Sequence, residues 1–429
     1  CIKQQATSLL QASRFFTMVV AALLCCTALC FVAAAYSSTV DGPTTGDTSG
    51  SQQVVLDRQL LSPKKVSYFV VDTYNHRVMQ WEECAHEGKV VAGGHGPGHK
   101  LTHLKFPVDI AIDSHHKDSL VIVDRENHRV VEWPKGATQG TIIVGNNDGK
   151  KGSSLHDLSF PNGVTILHDT DGHSHIIVAD TGNHRILDCQ RGHHDCKVVV
   201  SGDKYKKDEA RKGCGSYDVH SPEDVKVNKH GHYIITDKYY DRVVECYVMN
   251  ASKAHSHGHI IAGGKKKNGD KCKKDCYGSE LFELYYPEGT AIDGDDILVA
   301  DGYNNRIMKW SPNATQGERK VGKKDGYGSK LSHLHLPRGV VVDQGSYLIA
   351  DSMNHRILRW HPGDEKGHVV AGGHGFGSKK SQLHLPHAVA MLHHQNDSQA
   401  CPPVSTSSPV SLVVSTAVLV CTMVLASVS

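Results

Sequence analysis

The sequence predicts an all-β fold, a six-bladed β-propeller, and three observations carry that expectation. One seven-residue string occurs six times, its copies lie about one blade apart, and every copy sits in the same frame of four short strands. The string reads DTYNHRV from Asp72, DRENHRV from Asp124, DTGNHRI from Asp180, DKYYDRV from Asp237, DGYNNRI from Asp301 and DSMNHRI from Asp351. The separations are 52, 56, 57, 64 and 50 residues, the length of one four-stranded blade.

The frame opens at a proline (Pro107, Pro161, Pro222, Pro287, Pro337 or Pro386) and continues in a β-branched or alternating run such as VDIAID. A second run, such as SLVIVD, ends on the aspartate. After the turn a third strand reaches Trp81, Trp133, Trp310 or Trp360, and a fourth, such as KVVAGG, leads into a glycine-rich loop. Short period-two runs between turn residues, without a helical period, read as one antiparallel sheet per unit. The first aspartate, Asp72, lacks an inner strand before it, and the last proline strand, PHAVAML from Pro386, has no aspartate after it. Pairing the C-terminal strand with the N-terminal ones completes a blade and removes the open edge.

The frame PxGVxVD, YVADxxNHRIxxW, VxAGGxGxGS resembles the NHL repeat over Val66 to Leu392, which implies six blades around a central channel. Phrases such as DRENHR, DGYNNR and PHAVA are also similar to the secreted peptidyl-hydroxyglycine lyases, whose resemblance implies three histidines converging on zinc. Only His387 stands in such a place, so a zinc triad is not expected.

The ends suggest export. Residues 1–36 read as a signal region with Met18 as the better start, 37–65 as a linker, 66–393 as the propeller, 394–409 as a polar spacer and 410–429 as an apolar tail. Small residues, spacer and uncharged tail form the pattern of a glycolipid anchor signal, with a membrane helix as the alternative. The expectation is a protein on the extracellular face of the plasma membrane, attached at its C-terminus and out of reach of nucleic acid. Sequons at Asn250, Asn313 and Asn396 suit that route, the first two falling between strands three and four of their blades. Cysteines suit it as well: Cys189 and Cys196 flank a short hairpin and are expected to bridge. Cys272 and Cys276 pair with each other or capture Cys214, and the odd count leaves Cys84 free.

A motif repeated in six blades argues for a structural task. Asp72, Asp124, Asp180, Asp237, Asp301 and Asp351, with Arg77, Arg129, Arg185, Arg242, Arg306 and Arg356, are expected to lock turns and blades, together with His76, His128, His184 and His355. The tryptophans are expected to fill the wedge between blades. Chemistry is sought at the channel mouth, in the residues after the opening prolines: Val108, Asn162, Glu223, Glu288, Arg338 and His387. No cofactor is expected, although the oxygen ligands of Asn162, Glu223 and Glu288 suit Ca2+, against which Arg338 acts.

The chain is nearly neutral at +2, but the loops joining one blade to the next are strongly positive, with Lys265, Lys266, Lys267, Lys271, Lys273, Lys274, Lys323, Lys324, Lys379 and Lys380. Loop histidines such as His333, His335 and His384 add charge in acid. The functional expectation is a binding scaffold for an anionic glycan or protein, with a metal-dependent propeller lyase or lactonase-like hydrolase as the alternative.

Overall fold

The computed structural model describes residues 65–192, 196–202, 219–247, 257–264, 277–323 and 326–394. These hold 24 strands in six four-stranded antiparallel sheets, and the strand order shows the expected propeller. Five blades are continuous in sequence. The remaining blade takes its inner strand from Pro386–His393, which pairs with Val66–Asp72 from Val66 opposite His393 to Asp72 opposite Pro386. Closure is therefore a β-ladder between the two ends of the domain, and every blade has its full four strands.

Each core cluster spans two adjacent blades. Trp81 packs on Leu348, Ala350 and Ile357 of the preceding blade, and Trp133, Trp310 and Trp360 repeat that arrangement around the ring. The third and fourth blades place Cys189 and Cys246 at this position, in cores of smaller aliphatic residues. Cys189 is bonded to Cys196, as expected, whereas the expectation of a free Cys84 is corrected: Cys84 and Cys246 are both in disulfides. Cys214, Cys272 and Cys276 lie outside the described residues.

The repeated string builds the contact that organises the ring. After each aspartate comes one turn of 3-10 helix, Thr73–Asn75 in the first blade, closed by a left-handed residue such as His76 at φ 54°. Arg129 is buried and donates from Nε to Asp124 Oδ2 at 2.8 Å. Its remaining nitrogens donate to the carbonyls of His99, Lys100 and His103 in the loop entering that blade. The same oxygen of Asp124 accepts from Asn127, and its other oxygen accepts from the Lys105 backbone N–H. Arg77, Arg185, Arg306 and Arg356 repeat this pattern of one carboxylate and three loop carbonyls. In the fourth blade Arg242 holds Asp237 through Nε and a terminal nitrogen.

The left-handed residue grips the next blade. His76 Nδ1 accepts from the backbone N–H of Phe106, His128 Nδ1 from Phe160 and His355 Nδ1 from Leu385. Asp241 and Asn305 do the same with Oδ1. A glycine closes this corner from the other side. A Cβ on Gly93, itself at φ +67°, would meet the carbonyl oxygen of His76 at 2.5 Å.

Two outcomes follow. Deleting Pro386–His393 removes a whole inner strand, so the entire propeller should lose its cooperative melt; a truncated protein melting like the parent would contradict the closure. Burial lowers the pKa of His76, His128 and His355 from 6.5. The unfolded chain thus binds protons that the folded one refuses, and stability is lost as pH falls through 6.5. Replacing all three with Asn, the solution already used at Asn305, should keep the N–H acceptor and remove that part of the acid lability, read as a variant-minus-parent Tm that rises below pH 6.5.

Candidate functional site

The channel collects the residues that follow the opening prolines. Glu223, Glu288, Arg338 and His387 on the inner strands of four blades, and Asn162 just before the inner strand of a fifth, line one cavity of ≈ 70 Å³. Val108 does not; it is buried in the core between the second and third blades. The register shifts just after Pro107, Pro222, Pro287 and Pro337, and this irregularity turns consecutive residues toward the axis. A second layer results, in which Asp224 Oδ2 accepts from the N–H and hydroxyl of Thr290, Asp109 Oδ2 accepts from the Val164 N–H, and Lys226 Nζ stands 2.5 Å from Asp224 Oδ1.

Two channel groups were not singled out in the sequence. Lys238 and Arg125 each occupy the position after the turn aspartate and reach across to the next blade's channel residue. Lys238 Nζ lies 2.9 Å from Glu288 Oε1 and 3.4 Å from Glu223 Oε1. Arg125 Nε donates to Asn162 Oδ1 at 2.7 Å, and Asn162 Nδ2 donates to Glu223 Oε2 at 3.1 Å. The recurring side-chain reach was visible in principle: Ser352 and Thr181, at the same position, bond to the carbonyls of Pro386 and Pro222.

The electrostatics divide the two carboxyls. Burial and the neighbouring Glu288 carboxylate push Glu223 up to about 7 against the pull of Lys238. Burial opposes ionisation of Glu288 too, but Lys238 and Arg338 outweigh it and hold that group down at about 2. Burial and Arg338 keep His387 neutral, well below the usual histidine range. Ligand atoms of Glu223, Glu288 and His387 lie within 4.8 Å of one another, so this trio has the spacing of a metal site. The Lys238 ammonium stands between its two carboxylates, where Ca2+ would have to sit, and Arg338 adds a second positive charge. A metal ion fits these residues only if Lys238 withdraws.

Size separates the chemical readings. Pockets for organic ligands run to roughly 300–1,000 Å³, whereas one water takes about 30 Å³. The enclosed part of the channel, ≈ 70 Å³, holds water or one small polar group.

The surface around the mouth is different. The loops held by the arginines carry Lys100, Lys330, Lys379 and Lys380, all exposed, and exposed Lys323 lies on the same face. Lys265, Lys266, Lys267, Lys271, Lys273, Lys274 and Lys324 lie outside the described residues, as do Asn250 and Asn396. Between the lysines, over blades four, five, six and one, stands an arc of exposed aromatics that sequence reasoning missed. Tyr74, Tyr239, Tyr277, Tyr286, Tyr303, Tyr327 and Phe376 are 42–69 % exposed. Four of the blade-five tyrosines form one cluster, with Tyr277 to Tyr285 at 4.9 Å, Tyr285 to Tyr303 at 5.1 Å and Tyr286 to Tyr303 at 4.7 Å between centroids. Lys238 lies over Tyr286, and Arg125 and Lys151 over Phe160. The available signal was the bunching of Tyr in DKYY, CYGS, ELYYP and DGYN.

Glu223 offers a direct check on the channel. Between about pH 4.5 and 7 the unfolded chain gives up this proton before the folded chain does, so Glu223 withdraws stability as pH rises through that window. Relative to the parent, Glu223→Gln should therefore gain Tm from pH 4.5 to 7.5; a difference that stays flat across those melts would remove the coupled pair from the account.

Residues 284–310 match the NHL repeat family model. No curated protein matches the sequence. Among solved structures, a chain in the crystal structure of a nidogen/laminin complex superposes with a TM-score of 0.50 at 14% identity, covering 76% of this chain and 98% of that one. At that identity the likeness establishes the fold, a propeller.

Proposed function

We propose that this six-bladed NHL-repeat propeller is a protein-binding scaffold, and that it receives an acidic partner on the face carrying the Asp–Arg turns. The observation that carries this reading is the arc of exposed tyrosines and Phe376 beside the channel mouth. Tyrosine is enriched at binding hot spots because it offers a large, stiff apolar surface and a hydroxyl at little entropic cost. The interleaved lysines favour a partner of opposite charge, mainly through the rate of encounter and the choice of register. Support also comes from the similar solved structure, which is that of a nidogen/laminin complex. The Cys189–Cys196 disulfide favours an oxidising compartment and agrees with the extracellular display expected from the leader and tail.

The test is to pan a displayed peptide library on the intact chain and measure the selected peptides against two variants. Tyr277, Tyr286 and Tyr303 replaced together by Ser should weaken binding by about thirtyfold or more, since a hot-spot truncation costs about 2 kcal/mol or more. Lys330, Lys379 and Lys380 replaced by Ser should instead slow association and flatten its salt dependence. Peptides indifferent to the tyrosines would defeat the reading. Retention on a sulfated polysaccharide column that depends on the lysines alone would point to an anionic glycan as the ligand.

A further inference from the structure

The opposite face holds a larger concavity. A groove of ≈ 520 Å³ lies between blades four and five, with Ile234, Ile261, Ile292 and Ile297 among its lining and Asn313 at its edge. Lys229 and Asp295 form an ion pair of 2.6 Å at the rim, and His259 lies 3.2 Å from Glu245 beside it.

Asn313 stands where three other blades have glycine (Gly136, Gly192 and Gly363) and the first blade has Cys84 at φ 64°. It occupies the turn after the tryptophan strand at φ +60°, where the second blade has Gly136 at φ +78° and the sixth has Gly363 at φ +93°. Ala137, Thr138, Gln139 and Gly140 recur unchanged as Ala314, Thr315, Gln316 and Gly317, so the one exchange of Gly for Asn turns this loop into an Asn-Ala-Thr acceptor. Asn tolerates the left-handed region better than other non-glycine residues, which explains why the turn survives but not why the exchange is made beside the groove. Both Asn313 and Thr315 are exposed.

We propose that Asn313 is an N-glycosylation site and that the first sugars of its glycan are seated in this groove. In the modification, the side-chain amide nitrogen bonds to the anomeric carbon of an oligosaccharide carried on a lipid pyrophosphate. The amide gives up one proton, the sugar–pyrophosphate C–O bond breaks, the lipid pyrophosphate leaves, and nothing is oxidised or reduced. An N-acetylhexosamine has an apolar ring face and an acetyl methyl to set against the half-buried Ile261 and Ile292, above the core residues Ile234 and Ile297, while its hydroxyls meet Asn228, Lys229 and His259 at the polar edge. The groove lies within the size range of pockets that enclose a small ligand. A glycan here also leaves the tyrosine face clear, so partners approach from one side of the disc.

The proposal rests on export, and the full chain secreted from animal cells tests it. Peptide mass spectrometry should find Asn313 modified, and both Asn313→Gly and Thr315→Ala should lose the glycan mass while melting as cooperatively as the parent. Asn313→Gly installs the residue three other blades use, and Thr315→Ala leaves the turn residue in place. Glycan release by peptide amidase should be about tenfold slower from the folded protein than from the unfolded one, the factor that seating worth about 1.4 kcal/mol supplies. Secreted protein with an unmodified Asn313 overturns the site, and equal release from folded and unfolded protein overturns the seating. Neither result touches peptide binding by the tyrosine face, which is read on its own variants.

Discussion

The buried pairing of an aspartate with an arginine, repeated once per blade, is the constraint on which the rest of this propeller depends. A lone buried charge would cost several kcal/mol, and removing one partner of such a pair typically costs about 3–5 kcal/mol. Here both partners are satisfied. Asp124 accepts from Arg129, Asn127 and the Lys105 backbone, and Arg129 spends its other nitrogens on three carbonyls of a loop with little regular structure. The pair thus does for the loops what ladders do for the strands. It supplies the hydrogen-bond partners that irregular backbone needs when it is packed against a core.

That clamp also determines what the molecule presents to its surroundings. The loop carbonyls taken by Arg77 belong to Ser378, Lys379 and Gln382, so the lysine side chains of the same stretch are turned outward. The tyrosines enter through the same corner, since Tyr286 has its backbone N–H held by Asp241 and Tyr303 stands in a clamp turn. Rigid backbone beneath mobile polar heads and stiff aromatic rings lowers the ordering cost of association, which is the advantage of building a binding face on such a frame.

The channel plays a different part. Its inner strands come from every blade, so charges that would be remote in sequence are brought within a few ångströms, and Lys238 neutralises two glutamates contributed by its own blade and the next. A Cβ on Gly289 or Gly339 would meet the carbonyl of Arg338 or His387 at 2.6 and 2.8 Å, which shows how closely neighbouring inner strands approach. The result is a narrow, internally compensated axis around which the wider faces are arranged.

Much of this was legible in the chain itself. Six copies of the Asp–Arg string, the proline frame and the unmatched strands at the two ends determined the six blades, the closure and the structural role of the turns, because each is a local pattern read at fixed offsets. The positions after the prolines marked five of the channel residues for the same reason. Tertiary structure alone decided the rest. Lys238 meets Glu288 50 residues away across a blade boundary, and Tyr277, Tyr285, Tyr286 and Tyr303 become one surface only when loop and turn close on each other. Cys84 is bonded although parity suggested it free, since disulfide partners are chosen by distance in space. Periodicity determines which residues share a frame; the curvature of the ring decides which of them touch.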